Sequence, residues 1–201
     1  MPVFSQLMMK KKEANVNYIN LITEGTPTIN NGVVSNFSGA NRLKIPMTYD
    51  VFGDDFEVQF KFTTGELTSQ INTVFNFSTN VGSGDTERIC LNLTNQTTCN
   101  TVFRTSLSDY YATDTQNVFS ANTTYYIKFV YKNSFVTISI STNGSTWTTL
   151  QSGAISGAPT FLTGRFIGYS NYEQAGRYFR GSIDLKESYI KHNGAMYKFV
   201  V

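Results

Sequence analysis

The amino-acid sequence predicts an all-β protein built as an antiparallel sandwich or barrel, and composition and periodicity both point to it. Phe and Tyr contribute 16 and 12 of the 201 residues, and Ser, Thr and Asn together contribute 63. Aromatic and β-branched residues suit pleated strands, whereas Ser and Asn suit turns. Short runs that alternate apolar and polar residues recur along the chain between such turn residues. That pattern is typical of antiparallel sheets.

The clearest alternation covers residues 56–62, which read Phe-Glu-Val-Gln-Phe-Lys-Phe. Because strand side chains alternate between the two faces, this run places four apolar side chains on one face. Residues 125–131 and 135–140 form a second pair of strands around a turn at Lys132-Asn133. Asn143-Gly144 then predicts a tight type I′ hairpin turn, with Trp147 on the returning strand. Further short strands are predicted at residues 33–37, 42–45, 74–77, 88–93, 165–169, 182–191 and 196–201.

Residues 1–30 differ from the rest of the chain and predict an extended N-terminal arm, with at most one strand near its end, at residues 16–22. Residues 31–201 form the predicted sandwich domain. Large apolar residues without sheet periodicity are unusual in a disordered tail that has no partner surface. We therefore expect the arm to anchor the domain on another protein. The expected anchoring residues are the apolar Phe4, Leu7, Met8 and Met9, with Lys10, Lys11 and Lys12 at the polar rim.

Two alternatives to this anchor remain open. Met8 and Met9 could close one end of the domain, or the arm could exchange between copies of the chain.

The formal net charge of +2 is too small for a dedicated nucleic-acid surface. No run approaches 18 apolar residues, so we expect no membrane span, and the order of charges at the start predicts no secretory signal. Synthesis in a cytosol is expected.

Cys90 and Cys99 are the two cysteines of the chain. If Thr94 and Asn95 form the tip of a hairpin, the cysteines face each other and a cross-strand disulfide is conceivable. Cytosolic synthesis favours two reduced thiols instead. The single histidine, His192, is distant in sequence, so we predict no zinc site.

Three parts of the sequence carry a family resemblance. They are residues 36–65, which carry Phe-Ser-Gly at 37–39, residues 124–147, and residues 181–194, which open with Gly-Ser-Ile-Asp-Leu. Together they resemble the concanavalin A-like, laminin G-like jelly-roll domains, above all those in virion proteins of tailed bacteriophages. The resemblance covers about residues 31–201. It implies two antiparallel sheets packed face to face as a jelly-roll sandwich.

Catalytic chemistry is hard to find in the sequence. Glucanases on this fold need two carboxylates about 5.5 Å apart to retain configuration. Asp184 and Glu187 are three positions apart and would point to opposite faces of a strand, and Glu57 has only Asp55 nearby. His192 is expected in an exposed turn, and no nucleotide or nucleophile motif is visible. We predict no enzyme activity and no cofactor.

Sugar recognition needs aromatic faces together with amide or carboxylate groups. Two predicted loops, residues 108–114 and 170–173, hold such a mixture. These tyrosines could equally cover the ends of the sandwich or contact a neighbouring subunit. Calcium at loop carboxylates such as Asp85 and Asp114 is conceivable, but no dense acidic loop supports a metal site. The candidate glycan contacts are Asp109, Tyr110, Tyr111, Asn171 and Tyr172.

The bacteriophage resemblance and the arm together predict a non-enzymatic virion structural protein. It would decorate the capsid or form a fibre module, with other virion proteins as partners and a homo-oligomeric state. The expected location is the virion, without nucleic acid or membrane as partners. The alternative is a carbohydrate-binding adhesin that recognises host surface glycans, and a glycan-cleaving enzyme is the weaker third hypothesis.

Overall fold

A computed structural model of the chain describes residues 16–68, 70–79, 87–94, 98–105, 109–114, 118–159, 162–170 and 177–201. For Thr94, Thr98 and residues 109–114 the description covers the backbone. Within these ranges the chain forms strands and no helix, and therefore no helix suited to crossing a membrane.

The strands follow one another closely along the chain. They are β1 (Val16–Asn20), β2 (Ile22–Glu24), β3 (Thr28–Asn30), β4 (Val33–Ser35), β5 (Arg42–Lys44), β6 (Asp55–Thr64), β7 (Asn72–Ser78), β8 (Arg88–Thr94), β9 (Thr98–Arg104), β10 (Asp109–Asp114), β11 (Thr124–Lys132), β12 (Phe135–Ser141), β13 (Thr148–Ala154), β14 (Gly164–Ile167), β15 (Gly181–His192) and β16 (Ala195–Val200).

The strands form two sheets that enclose one core. The nine-stranded sheet has the order β1-β16-β15-β6-β11-β12-β13, and β4 pairs with β15 and with β3 at its side. The seven-stranded sheet has the order β10-β9-β8-β7-β14-β5-β2. Every pairing is antiparallel except that of β1 with β16. The predicted all-β, two-sheet antiparallel sandwich is confirmed.

Alternation explains how the core is built. In β6 the even positions 56, 58, 60 and 62 are buried between the sheets, as predicted. Phe60 stacks on Phe75 of the opposite sheet with ring centroids 4.8 Å apart, and on Phe199 at 5.6 Å. Stacked and edge-on ring pairs of this kind stabilise a core beyond the area they bury.

Tight turns connect several antiparallel neighbours. Asn31 and Gly32 have φ angles of 50° and 81°, and Asn193 and Gly194 have 49° and 78°. These two turns join β3 to β4 and β15 to β16 by two residues each, as type I′ hairpins require. Asn143-Gly144 differs from the expected type I′ turn, because only Gly144 has a positive φ there. The connection from β12 to β13 is longer and is organised by side chains.

Part of the predicted arm belongs to the sandwich. β1 pairs with β16, β2 with β5 and β3 with β4, so both sheets contain residues from the range 16–30. Ile19 is completely buried and Leu21 nearly so, which holds this segment against the core. A domain boundary between residues 30 and 31 is therefore not observed. The anchoring residues expected between Phe4 and Lys12 lie outside the described residues.

The hairpin of β8 and β9 separates the two cysteines. Its register pairs Cys90 with Val102 and Leu93 with Cys99. Thr94 pairs with Thr98 and so belongs to the strand β8 rather than to the expected hairpin tip. Because Cys90 is three residues from Leu93, the two cysteine side chains point to opposite faces of the sheet. The register excludes the cross-strand disulfide considered above.

Candidate functional site

The face of the nine-stranded sheet that points away from the core is polar and aromatic. It is built by the residues that alternate with the core positions, which are the odd positions of β6 and the even positions of β11. Since the register of every neighbouring strand is defined, residues far apart in sequence form rows across this face.

One such row crosses five adjacent strands without a gap. The pairings connect Tyr18 to Lys198, Lys198 to Tyr189, Tyr189 to Gln59 and Gln59 to Lys128. Neighbouring strands are about 4.8 Å apart, so the row extends over about 20 Å from β1 to β11. At its far end the ring of Trp147 covers the ammonium group of Lys128. We call these six residues the cross-strand row: Tyr18, Lys198, Tyr189, Gln59, Lys128 and Trp147.

The aromatic members of the row differ in exposure. Tyr18 is 60% exposed on the edge strand β1, so most of its ring faces solvent. The Lys128 Nζ atom lies 4.0 Å from the ring centroid of Trp147, within the range of a cation–π contact. Tyr126 meets the same indole edge-on at 6.5 Å. The row therefore has one open aromatic face at β1 and an ordered aromatic–cation pair at β11.

Glu57 lies beside the row and contacts Tyr189 and two lysines. Its Oε1 atom accepts a hydrogen bond from the Tyr189 hydroxyl and another from Lys191 Nζ at 3.2 Å, and lies 3.9 Å from Lys128 Nζ. The Tyr189 hydroxyl also lies 3.1 Å from Gln59 Oε1. One carboxylate thus orients a tyrosine and two lysines. Such a network restricts the positions of these side chains.

Burial and charge shift the pKa values of two of these groups. Burial is the main cause that raises the pKa of Tyr189, and the hydrogen bond to Glu57 and the charge of Glu57 raise it further. Burial also lowers the pKa of Lys128, the Lys191 charge adds to that effect, and the Glu57 charge opposes it. Both shifts reflect the cost of placing a charge in a partly desolvated site.

A bulge in β15 supplies a second ion pair on the same face. The register of β15 against β6 shifts between Asp184 and Tyr189. The Ser188 hydroxyl fills this irregularity, since it donates to the Asp184 carbonyl at 2.6 Å and accepts from the Lys61 amide at 3.1 Å. Lys61 Nζ pairs with Asp184 at 3.1 Å, and this hydrogen bond is the main cause that raises the pKa of Lys61.

A small cavity of about 240 Å³ opens at one end of this face. Its charged lining consists of Asp55, Glu57, Lys132 and Lys191, and Lys132 Nζ lies 3.4 Å from Asp55. His192 also borders it but is buried, only 9% exposed, with its Nδ1 atom 3.2 Å from the Asp50 carbonyl oxygen. The expectation of an exposed turn histidine is wrong, because the strand β15 extends to residue 192 and turns this side chain inward.

Three of the sequence-predicted glycan contacts lie on a strand of the other sheet. Asp109, Tyr110 and Tyr111 belong to the strand β10 rather than to a loop, because residues 109–114 pair with β9, and the register places Tyr111 opposite Val102. Their side chains, and the whole of Asn171 and Tyr172, lie outside the described residues. The structure therefore places Asp109, Tyr110 and Tyr111 outside the cross-strand row. Among the described residues, no group of three or more His, Cys, Asp and Glu side chains is arranged to hold a metal ion.

Sequence reasoning missed the row because each member looks like an ordinary polar position of a strand. Tyr18 was placed in the arm, and Tyr189 and Lys128 are separated by 61 residues. Only the register of β15 on β6 and of β6 on β11 brings them side by side. The one available signal was Trp147, the single tryptophan of the chain.

Comparisons with solved structures support the fold. Mouse laminin alpha1 chain matches with a TM-score of 0.58 and 14% identity, over 86% of this chain and 44% of that one. Tailspike protein 2 of Escherichia coli O157:H7 bacteriophage CAB120 matches with a TM-score of 0.59 and 10% identity, over 90% and 26%. Trypanosoma rangeli sialidase matches with a TM-score of 0.55 and 10% identity, over 80% and 26%.

These structures are similar to this chain in architecture, and the chain spans less than half the length of each. At such identities the similarity establishes a laminin G-like, concanavalin A-like fold and nothing more. A search of curated protein sequences found no match. A sequence model of the fimbrillin-A associated anchor proteins Mfa1 and Mfa2 matches residues 13–151, which is more than half of the chain.

Proposed function

The chain belongs to the family of fimbrillin-A associated anchor proteins Mfa1 and Mfa2, and from this membership we propose that it is a non-enzymatic attachment protein whose laminin G-like domain binds carbohydrate. The cross-strand row is the observation that carries the binding part of this proposal. The family description supports the anchoring part. Together they give an adhesin in which one part is held on a larger structure and the sheet face contacts a glycan.

The row has the chemistry that a saccharide chain needs. The C–H faces of sugar rings pack on aromatic rings, and sugar hydroxyls exchange hydrogen bonds with amide, ammonium and phenol groups. Tyr18 and Tyr189 stand two strands apart, at about 10 Å, with Lys198 between them. Because the row is about 20 Å long, it suits several linked sugar rings laid across the strands rather than a single ring.

Substitution of Tyr18 tests this surface with little risk to the fold, since the ring is mostly exposed. We expect Tyr18→Ala to weaken binding on a glycan array or an insoluble-polysaccharide pull-down about fivefold to tenfold, as for the loss of an aromatic contact of about 1 kcal/mol. Ile22→Ala, at a similarly exposed apolar residue on the other sheet, is the matched control. Equal binding by both variants would count against the row.

The anchoring role is proposed for the segment before β1, where Phe4, Leu7, Met8 and Met9 precede the three lysines. Every described strand begins at or after Val16, so deletion of residues 1–15 removes none of them. We expect the truncated protein to remain folded by circular dichroism and to lose attachment to its carrier structure in a co-purification assay. Unchanged co-purification of the truncated protein would contradict this role.

A virion role is the second proposal, with capsid or fibre proteins as partners, a homo-oligomeric assembly and the virion as location. Its support is the sequence resemblance to virion domains of tailed bacteriophages, while the tailspike similarity concerns the fold. An immunoblot of purified virus particles with an antibody against residues 31–201 tests it. A band at near-stoichiometric copy number favours the virion, and its absence leaves the adhesin.

The absence of enzyme activity is likewise a proposal, and the carboxylates of the described outer face support it. Glu57 and the Lys61 partner Asp184 are separated by four strand positions, about 13 Å, which exceeds the spacing of about 5–9.5 Å in glycosidases. Asp55 and Glu57 are closer, but each pairs with a lysine. Release of reducing sugar that Glu57→Gln abolishes would overturn this proposal.

A further inference from the structure

A second cavity lies beside the connection between β12 and β13 and has a different chemistry from the cross-strand row. Its volume is about 350 Å³, at the lower end of the range of about 300–1,000 Å³ for ligand pockets. Val118, Tyr125 and Ile140 give it an apolar wall, and Ser141, Thr142, Asn143, Thr146 and Thr148 line the rest.

The connection that borders this cavity is unusually well ordered by its own side chains. The Ser141 hydroxyl accepts hydrogen bonds from the amides of Asn143 at 3.2 Å and Gly144 at 2.9 Å. The Asn143 Oδ1 atom accepts from the amides of Ser145 at 2.9 Å and Thr146 at 2.8 Å, and from the hydroxyls of Ser145 and Ser141. The four bonds to Oδ1 fix the orientation of the Asn143 amide, and its Nδ2 group donates to none of the described residues, so that group is available to a ligand.

The cavity wall carries no charged group among the described residues. An acidic or basic ligand would lose its hydration there without gaining a counter-charge, which is costly. Hydroxyl and amide groups on one side and aliphatic and phenol carbons on the other match a sugar ring, which has a polar rim and an apolar C–H face.

We propose that this cavity is a second carbohydrate site, which takes one uncharged sugar ring. The ring packs its C–H face against the apolar wall of the cavity, and its hydroxyls bond to Thr146, Thr148 and the Asn143 amide. Thr146 and Thr148 line the cavity, whereas Trp147 between them meets Lys128 in the cross-strand row. A sugar bound in the cavity therefore contacts both sequence neighbours of Trp147 and should change its fluorescence.

Saturation-transfer-difference NMR and Trp147 fluorescence test the proposal on the full chain. The neutral probes are N-acetylglucosamine and the methyl α-glycosides of glucose, galactose and mannose. Glucuronate is the charged probe with a ring of the same size. Thr148→Phe places a bulky ring at the cavity from an exposed strand position. Thr23→Phe makes the same change at an exposed position of β2, the edge strand of the other sheet, and serves as the matched control.

We expect at least one neutral probe to give a transfer signal and a saturable fluorescence change, and glucuronate to give neither. Thr148→Phe should weaken that binding about tenfold or more, and Thr23→Phe should leave it unchanged. No binding by any neutral probe, equal binding of glucuronate, or wild-type binding by Thr148→Phe overturns the proposal. Because Trp147 also belongs to the cross-strand row, only binding that Thr148→Phe weakens is assigned to the cavity. The Tyr18→Ala array experiment tests the row separately, so failure of the row and failure of this cavity are distinguishable.

Discussion

Glu57→Gln is the most informative perturbation of the polar face, because it removes one charge and almost no volume. The wild-type carboxylate accepts from Tyr189 and Lys191 and lies 3.9 Å from Lys128. The side chains of Glu57 and Lys128 are 20% and 22% exposed, so solvent screens their attraction only in part. Lys191 is 41% exposed, and its contribution is correspondingly small.

The expected loss can be worked out from these contacts. A hydrogen bond to a charged group contributes about 1.5–3 kcal/mol, and the amide oxygen of glutamine keeps a neutral bond of about 1 kcal/mol for Tyr189. We therefore expect Glu57→Gln to lower the free energy of unfolding by about 1–2 kcal/mol at neutral pH. For a chain of this size that corresponds to a decrease in Tm of about 2–8 °C.

The pH dependence gives the same substitution a second signature. Burial lowers the pKa of Lys128 below the ordinary 10.5, so the unfolded chain binds more protons just below that pH and stability from this group rises with pH there. Removal of Glu57 lowers the pKa of Lys128 further. The deficit of Glu57→Gln should consequently be largest near neutrality and shrink as the pH approaches 10.5.

Urea unfolding followed by circular dichroism measures the stability, and NMR of the lysine side chains measures the pKa of Lys128. Glu66→Gln, at an exposed carboxylate after β6, is the matched control. An unfolding midpoint equal to that of the control, or a pKa of Lys128 that stays constant or rises, would refute the reasoning about this cluster.

Three further substitutions have defined outcomes. The pKa of Tyr189 is raised by folding, so the folded chain binds more protons than the unfolded chain above pH 10 and its free energy of unfolding falls as the pH rises. Tyr189→Phe should therefore make the decline of the urea midpoint above pH 10 less steep. Phe60→Ala removes a completely buried ring and should cost about 3–5 kcal/mol in calorimetry or urea unfolding. Ser141→Ala removes the acceptor of two turn amides and should cost about 1–2 kcal/mol, with faster amide exchange at Asn143 and Gly144, whereas unchanged exchange would contradict the described turn.

The sequence was sufficient for the parts of the fold that depend on local pattern. The alternation in β6, β11 and β12 predicts which side chains enter the core. Asn143-Gly144 shows the limit of local pattern, because the predicted type I′ turn is replaced by a longer connection that the Ser141 and Asn143 side chains organise. The alternation predicts a strand within residues 16–22, and β1 lies there, but the pattern does not predict its parallel pairing with β16. Only Ile19 of this short edge strand is buried, so local pattern holds little information about its partner.

The candidate sites depended on information that local pattern does not contain. Polar residues on the outer face of a strand are compatible with any neighbour, so Gln59 and Lys128 suggest a site only once their registers are known. The choice of β15 as the neighbour of β6 joins residues more than a hundred positions apart, and the bulge beside Asp184 shifts that register again. Tyrosines were predicted as contacts from loops that the structure either shows as a strand or does not describe.

The parallel pairing of β1 with β16 determines how the domain responds to tension along its chain. Val16 lies beside Met196 and Asn20 beside Val200, and the Leu21 amide donates to the Val200 carbonyl at 2.8 Å. A tension applied to the chain before Val16 and after Val200 pulls these two strands in opposite directions along their length. Their hydrogen bonds are then loaded in shear and must break together rather than one at a time, so the domain should yield only at high force.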